Sequence, residues 1–237
     1  MKIPFPNNFE PQKPLKIYDY QDITIIIFAK SLKPSQLNLV NLYQQGIIPP
    51  HWQLKEPVVC KPHSFQLSFQ EGININVEIG KVSFSYKKKA NSNSLNIIVN
   101  NFIAQILKYQ FQRFQIVFRR LITFPKGKCS GLNFINNNLL SLPENRIKVN
   151  SVSPHKIQLN FVYKLENQPL LISVIDTPII KKKINYSGIL FKGLINDEKT
   201  KSMNKNKYYD NHSGSNIISN YPKYLDFFNQ IVNSYLL

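Results

Sequence analysis

The chain has 237 residues, of which 43% are hydrophobic and 18% charged, and its 30 Lys and Arg against 13 Asp and Glu give a formal net charge of +17. This hydrophobic content excludes a wholly disordered chain, and the length suits one large domain or two small ones, at roughly 100–200 residues each. Two cysteines, Cys60 and Cys129, are too few for a disulfide scaffold, so we expect free buried thiols.

The positive charge is uneven along the chain. Residues 1–80 carry seven Lys and Arg against six acids, whereas residues 81–150 carry twelve against a single acid, Glu144. Part of the lysine excess is attributable to a low-G+C genome, because Lys, Asn and Ile have A/T-rich codons. The middle third is nevertheless the segment whose charge suits a polyanionic partner.

The N-terminus has the features of a soluble cytoplasmic protein. Residues 1–16 are predicted to form an extended Pro-rich arm and lack the apolar core of a signal peptide. The longest aliphatic stretch, residues 23–29, is far shorter than the ~20 residues that a membrane span requires.

Residues 17–112 are predicted to form a first α+β half. A dense β-branched run at 23–28 indicates a buried strand, and a short helical pattern follows from Pro34. Strict alternation of apolar and polar residues over 63–86 predicts three antiparallel strands with one wet face. An amphipathic helix follows at 95–107.

Residues 113–237 are predicted to form a second α+β half with the same kinds of element. A long alternating strand at 114–124 begins it, and a short helix is indicated at 132–142. The polar composition of 197–216 predicts a mobile loop, and a final amphipathic helix is predicted from Pro222. Further strands are predicted at 146–150, 156–165, 169–176 and 187–195.

The predicted fold class is α+β, with antiparallel sheet meanders and two long amphipathic helices. If residues 58–60 form a strand, each half reads strand, short helix, four strands, long helix. This order resembles the duplicated saddle of TATA-box-binding-protein-like folds, although no residue-level identity links the halves. The resemblance implies one compact pseudo-duplicated domain and carries no function.

No residue pattern predicts catalysis, a metal site or a cofactor. His51, Cys60 and His63 lack the fourth ligand and the paired spacing of zinc sites. The sequence has neither a Gly-x-Ser-x-Gly elbow nor a Gly-rich phosphate loop. Asp176 follows an apolar strand and is interpreted as the cap of the turn after it. We therefore predict a non-enzymatic protein.

The basic segment 81–128 suggests a nucleic-acid partner. Arginine suits phosphate, and exposed aromatic rings stack on bases. However, strict alternation sends Phe114 and Phe118 into the core and also aims Arg120 inward, where it requires a bulge or a buried partner. The candidate nucleic-acid-binding residues are Lys87, Lys88, Lys89, Arg113, Arg119, Arg120, Lys126 and Lys128.

The loop around the only tryptophan suggests a protein partner. Residues 46–54 are largely apolar, whereas loops are usually polar. A tryptophan in such a loop either closes an edge of the core or anchors an interface. The candidate partner-binding residues are Ile48, Pro49 and Trp52.

The same loop carries a resemblance to other proteins. It reads Gly-Ile-x-Pro-x-x-Trp at residues 46–52, and Phe-x-x-Gly follows at 69–72. These motifs resemble a family of uncharacterised, hypothetical bacterial proteins found chiefly in cyanobacteria, with a similar order of elements over about residues 20–110. His51 and Gln53 replace the acidic residues expected around the tryptophan. The resemblance implies an α+β architecture and no known activity, cofactor or catalytic residue.

Two functional hypotheses remain. The first is a non-enzymatic soluble protein-binding or dimeric structural module that works through its sheet or the Trp52 loop. The second is a nucleic-acid-binding protein that uses the basic segment. The hypotheses differ in geometry, because a nucleic-acid site needs its basic residues on one exposed face.

Overall fold

A nine-stranded antiparallel sheet is the central element of the computed structural model, which describes residues 18–87, 92–124, 130–140, 156–165, 168–181, 184–198 and 212–236. This architecture agrees with the predicted α+β class. The strands are β1 (Tyr18–Phe28), β2 (Val59–Lys61), β3 (Ser64–Ser68), β4 (Ile73–Glu78), β5 (Lys81–Lys87), β6 (Arg113–Phe124), β7 (Gln158–Lys164), β8 (Pro169–Lys181) and β9 (Ile184–Glu198).

The strand order across the sheet is β2-β3-β4-β5-β1-β6-β9-β8-β7. Strands β1 and β6 therefore lie in the middle, and their pairing runs without interruption from Tyr18 opposite Thr123 to Phe28 opposite Arg113. Because β1 also pairs with β5 and β6 with β9, the sheet is continuous from one edge to the other.

In the described part of the chain a short 3-10 helix (Pro34–Gln36) and four α-helices accompany the sheet. The α-helices are α1 (Leu39–Gln44), α2 (Ser92–Phe102, continued by the π-helical turn Ile103–Leu107), α3 (Gly131–Phe134, continued by the π-helical turn Ile135–Leu140) and α4 (His212–Leu236). Two of them begin at polar caps. The side chain of Asn38 accepts from the backbone N–H of Asn41 at α1, and Ser130 accepts from Asn133 at α3.

Alternate side chains of the strands point to the face on which α2 and α4 pack, which we call the helix face. Phe84 of β5 meets Phe102 of α2 at 5.3 Å between ring centroids, and Phe118 of β6 stacks on Phe228 of α4 at 5.6 Å. Gly193 of β9 permits this approach of α4, since a Cβ there would lie 2.9 Å from the Phe228 ring. The helices thus bury one face of the sheet in an apolar core.

The C-terminal end of α4 adds a polar contact to this packing. The hydroxyls of Tyr163 and Tyr235 lie 2.9 Å apart, and the Tyr235 ring stacks on Phe191. Burial, and next the hydrogen bond with Tyr163, raise the pKa of Tyr235 to about 12, so this phenol keeps its proton at a pH where an ordinary tyrosine ionises.

Both ends of the segment predicted as a mobile loop, 197–216, belong to regular elements, and residues 199–211 lie outside the described residues. Strand β9 continues through Glu198 because its end pairs with the start of β6. Helix α4 begins at His212, so the prediction that it starts at Pro222 is wrong. Proline interrupts the backbone hydrogen bonding of a helix, but the preceding turn carries fully buried Ile218 and Tyr221, whose packing holds it in place.

Two further expectations need correction. Asp176 lies inside β8, not at its end, because the strand pairs with β9 as far as Lys181. Cys60 is exposed on β2, because that strand is at the sheet edge. The predicted arm at 1–16 and the strand at 146–150 lie outside the described residues.

No helix within the described ranges combines the length and the apolar character that crossing a membrane requires.

Candidate binding surface

The face of the sheet opposite the helices, which we call the open face, differs between the two ends of the sheet. On β3, β4 and β5 it carries Ser, Asn and Gln side chains that bond to one another. The Ser68 hydroxyl donates to Asn74 Oδ1 at 2.7 Å, and Asn74 Nδ2 donates to Ser85 Oγ at 3.4 Å. This end is the wet face that the alternation over residues 63–86 predicts.

On β6, β9, β8 and β7 the open face is largely aliphatic. Val117, Leu194, Leu171 and Val162 lie opposite one another across these four adjacent strands. At the usual strand spacing of ~4.8 Å, this row is about 14 Å long. Val162 is 71% exposed, whereas Val117 is 8% exposed. A second, shorter aliphatic row lies four residues along the strands, and the polar row of Arg119, Lys192, Ser173 and Asn160 runs between the two. We call the two aliphatic rows together the aliphatic patch: Val117, Leu121, Val162, Leu171, Ile175, Leu190 and Leu194.

A row of charged side chains crosses the middle of the open face. Lys87, Asp22, Arg119 and Lys192 are opposite one another on β5, β1, β6 and β9. Arg119 Nε donates to Asp22 Oδ1 at 2.7 Å, and its Nη2 donates to Thr24 Oγ1 at 2.9 Å. The row therefore contains one internal ion pair, and the two lysines stand on either side of it.

Arg120 points the other way, to the helix face, and is only 6% exposed. Its Nε and Nη2 both donate to the carboxylate of Asp19, the latter at 2.9 Å. Its Nη1 donates to Asn233 Oδ1 of α4 at 2.7 Å. The sequence predicts that an inward Arg120 needs a bulge or a buried partner, and Asp19 is that partner.

The predicted nucleic-acid residues divide between the two faces. Lys87, Arg113 and Arg119 have open-face positions, and Arg120 has a helix-face position. The aromatic rings beside them are already covered by cations: Lys87 Nζ lies 5.9 Å from the Tyr20 ring, and Arg113 Cζ lies 4.1 Å from the Phe28 ring. The remaining candidates, Lys88, Lys89, Lys126 and Lys128, lie outside the described residues.

The candidate partner-binding loop belongs mainly to the core. Trp52 is 5% exposed, and its ring meets the edge of Phe69 at 5.3 Å. Ile48 is fully buried and Pro49 is partly buried. The hydroxyl of Tyr43 donates to the Trp52 carbonyl at 3.0 Å, which fixes the loop on α1. This burial favours the interpretation of Trp52 as closing an edge of the core.

The described residues contain no group of three or more His, Cys, Asp or Glu side chains arranged to hold a metal ion. His51, Cys60 and His63 are each exposed.

The aliphatic patch was missed by the sequence analysis, which assigned faces only where apolar and polar residues alternate. A signal was nevertheless present. Strands β8 and β9 contain apolar doublets, Leu170-Leu171, Ile189-Leu190 and Leu194-Ile195, which place one apolar side chain on each face. Such doublets occur in strands buried on both sides as well as in strands with an uncovered apolar face, so the pattern alone does not reveal a patch.

Comparison with known proteins finds no family model that matches the chain and no curated protein with significant similarity to it. The surface is therefore interpreted from its own geometry.

The ion pairs of Arg119 and Arg120, which are adjacent in β6, should contribute very different amounts to the free energy of unfolding. Asp19→Asn leaves the buried Arg120 charge without its carboxylate and should lower the free energy of unfolding by about 2–3 kcal/mol. Asp22→Asn is the matched control, because its partner Arg119 is 42% exposed and the loss should be about 1 kcal/mol or less. Urea denaturation measures both, and equal losses would contradict the assignment of faces.

The burial of Trp52 predicts a large stability effect. Trp52→Ala removes a core ring and should lower the free energy of unfolding by about 3–5 kcal/mol in the same assay. Val40→Ala, at a 61% exposed site on α1, should change it by less than about 0.5 kcal/mol. A Trp52→Ala protein as stable as the Val40→Ala protein would show that the loop anchors a partner instead.

Proposed function

We propose that this protein is a non-enzymatic, soluble, cytoplasmic binding module that binds another protein through the open face of its sheet. The observation that carries the proposal is the aliphatic patch, which lies across four strands with Val162 71% exposed. Apolar patches with polar rims are typical of protein–protein interfaces, and isolated exposed apolar side chains are not.

The surroundings of the patch support a protein partner. Gln115, whose Nε2 donates to Asn196 Oδ1 at 3.3 Å, borders the patch. Ser173, whose hydroxyl donates to Asn160 Oδ1 at 2.7 Å, lies between its two rows. Apolar side chains combined with hydrogen-bonding polar groups are the usual composition of a recognition surface. The surface is also built on strands, which hold it in one shape.

The carboxylates on the central strands support a non-enzymatic role. Asp19 is held by Arg120, Asp22 by Arg119 and Glu78 by Lys81 at 2.9 Å. A carboxylate that is held in an ion pair by its own chain serves structure. General acid–base catalysis requires instead a carboxyl group within hydrogen-bond reach of the substrate.

A nucleic-acid-binding function is the second candidate, favoured by the common open-face position of Lys87, Arg113 and Arg119. Fluorescence anisotropy with labelled single- and double-stranded DNA and RNA tests it. Binding that persists at physiological salt and weakens on Arg119→Gln would support this candidate. Weak, length-independent binding that vanishes at physiological salt would exclude it, because such binding is only counterion release.

We also infer that residues 17–112 and 113–237 are two copies of one architectural unit. Strands β1 and β6, the first of each unit, are neighbours in the sheet, and the later strands of each unit extend outwards from them. Helices α2 and α4, the last described helix of each unit, occupy the same face. With the α+β architecture, these features remain compatible with the cyanobacterial family that the Trp52 loop resembles.

The proposed surface makes a prediction about partner capture. Val162→Asp places a carboxylate in the exposed part of the patch and should abolish recovery of the specific partner from a nuclease-treated lysate of the source organism. The folded protein should be unchanged in melting temperature, because the Val162 side chain is largely solvated.

The matched control is Val40→Asp, since Val40 is 61% exposed and lies on α1, away from the open face. This variant should recover the partner as well as the unchanged protein does. Equal recovery of the partner by Val162→Asp and Val40→Asp would refute the open face as the binding surface. A partner that is recovered only from lysate without nuclease would favour the nucleic-acid candidate.

A further inference from the structure

We propose that the partner of the open face is an acidic amphipathic segment of another protein, whose apolar side chains cover the aliphatic patch while its carboxylates meet Lys192 and Lys87. This inference rests on the proposed function and adds the chemistry of the partner.

The open face carries an excess of positive charge. Among the side chains that the structure describes, its register positions hold seven basic residues and two acidic ones. The basic residues are Lys61, Lys81, Lys87, Arg113, Arg119, Lys164 and Lys192, and the acidic residues are Asp22 and Glu78. Both acids form ion pairs, Asp22 with Arg119 and Glu78 with Lys81. The face therefore keeps an excess of positive charge after its internal pairs are made.

The position of Lys192 on the open face also indicates the chemistry of the partner. Lys192 lies on β9 between Leu190 and Leu194, so the aliphatic patch surrounds it on its own strand. It is partly buried, and it makes no ion pair with a carboxylate among the described residues. A partner that covers the patch would enclose this ammonium group, which is favourable only if the partner supplies a carboxylate.

The same charge argues against a second copy of this chain. In a symmetric dimer each open face would meet an identical one, so that two faces of net positive charge would be brought together. Like-charge contacts of this kind oppose association, whereas an acidic partner turns them into attraction.

The contacts that the basic side chains already make favour a protein partner over a nucleic-acid partner. Arg119 is engaged by Asp22 and Thr24, which occupy the donors that would grip a phosphate. The Tyr20 and Phe28 rings lie beneath cations from their own chain, so they are not bare stacking platforms. The aliphatic patch presents apolar side chains that are partly exposed, and Val162 is 71% exposed. Such aliphatic surface is best matched by apolar protein side chains.

The dimensions of the patch fit a short helix lying across the strands. The row from Val117 to Val162 is about 14 Å long, and a helix rises 5.4 Å per turn, so about three turns cover it. Apolar residues at i, i+3, i+4 and i+7 would face the patch, and glutamates on the flank would reach the charged row beside it.

Synthetic peptides test the inference. The probe is a capped 16-residue helical peptide with Leu at i, i+3, i+4 and i+7 positions, Glu on the flanks of the Leu stripe and Ala at the remaining positions. Its controls replace every Glu by Lys, or every Leu by Ser. Isothermal titration should give binding about tenfold tighter for the Glu/Leu peptide than for either control. Backbone amide shifts of the labelled protein should change on β6, β8 and β9.

Charge reversal supplies the matched pair of variants. Lys192→Glu should weaken the Glu/Leu peptide about tenfold, whereas Lys223→Glu, at an exposed position on α4, should leave its affinity unchanged within about twofold. The inference fails if the Lys/Leu peptide binds as well as the Glu/Leu peptide, if both variants behave alike, or if single-stranded DNA displaces the peptide and shifts the same amides.

The two proposals fail separately. If Val162→Asp still abolishes partner recovery while the Glu/Leu peptide does not bind, the open face binds a protein of another character and only the acidic chemistry is refuted. If Val162→Asp recovers the partner normally, the proposed function itself falls, whatever the peptides do.

Discussion

The pairing of β1 with β6 is the constraint on which the rest of the structure depends. Side chains alternate between faces along a strand, so this one register decides which residues of the central strands meet the helices and which remain on the open face. It places Ile25 opposite Ile116 on the helix face and Thr24 opposite Val117 on the open face. Two ion pairs reinforce the same register from opposite sides, Asp22 with Arg119 and Asp19 with Arg120. A slip of one residue would break both pairs and bury the charges of the open face.

The sequence predicted those elements whose pattern has a single physical interpretation. Strict alternation over residues 63–86 admits only strands with one apolar face, and the spacing from Leu95 to Leu107 admits only a helix with one apolar side. The inward position of Arg120 was also predictable, because it follows from the alternation that buries Phe118. Its partner was not, because Asp19 is about a hundred residues away and only the β1–β6 register brings the two together.

Prediction from the sequence was wrong where contacts with residues far away in the chain determine the structure and the local composition does not. Asp197 and Glu198 at the end of β9 were predicted as loop, yet they pair with the start of β6 and extend the strand. Pro222 reads as the start of a helix, yet α4 begins ten residues earlier, where Ile218 and Tyr221 pack in the core. The aliphatic patch was not predicted, for a related reason. An apolar doublet shows that both faces of a strand are apolar, but not which face another element covers.

The neighbouring arginines show why the net charge is a poor guide to function by itself. Arg119 and Arg120 contribute equally to the basic middle of the chain, yet one lies at the open face and the other is enclosed beneath α4. Each is matched by an aspartate from β1, a strand that belongs to the nearly neutral first third of the sequence. Much of the charge near the centre of the sheet therefore forms the ion pairs that hold β1 to β6. Lys192 is outside this arrangement: it lies between Leu190 and Leu194 and makes no ion pair with a carboxylate among the described residues. In the proposed complex its charge would count most, because a bound partner would exclude water from it.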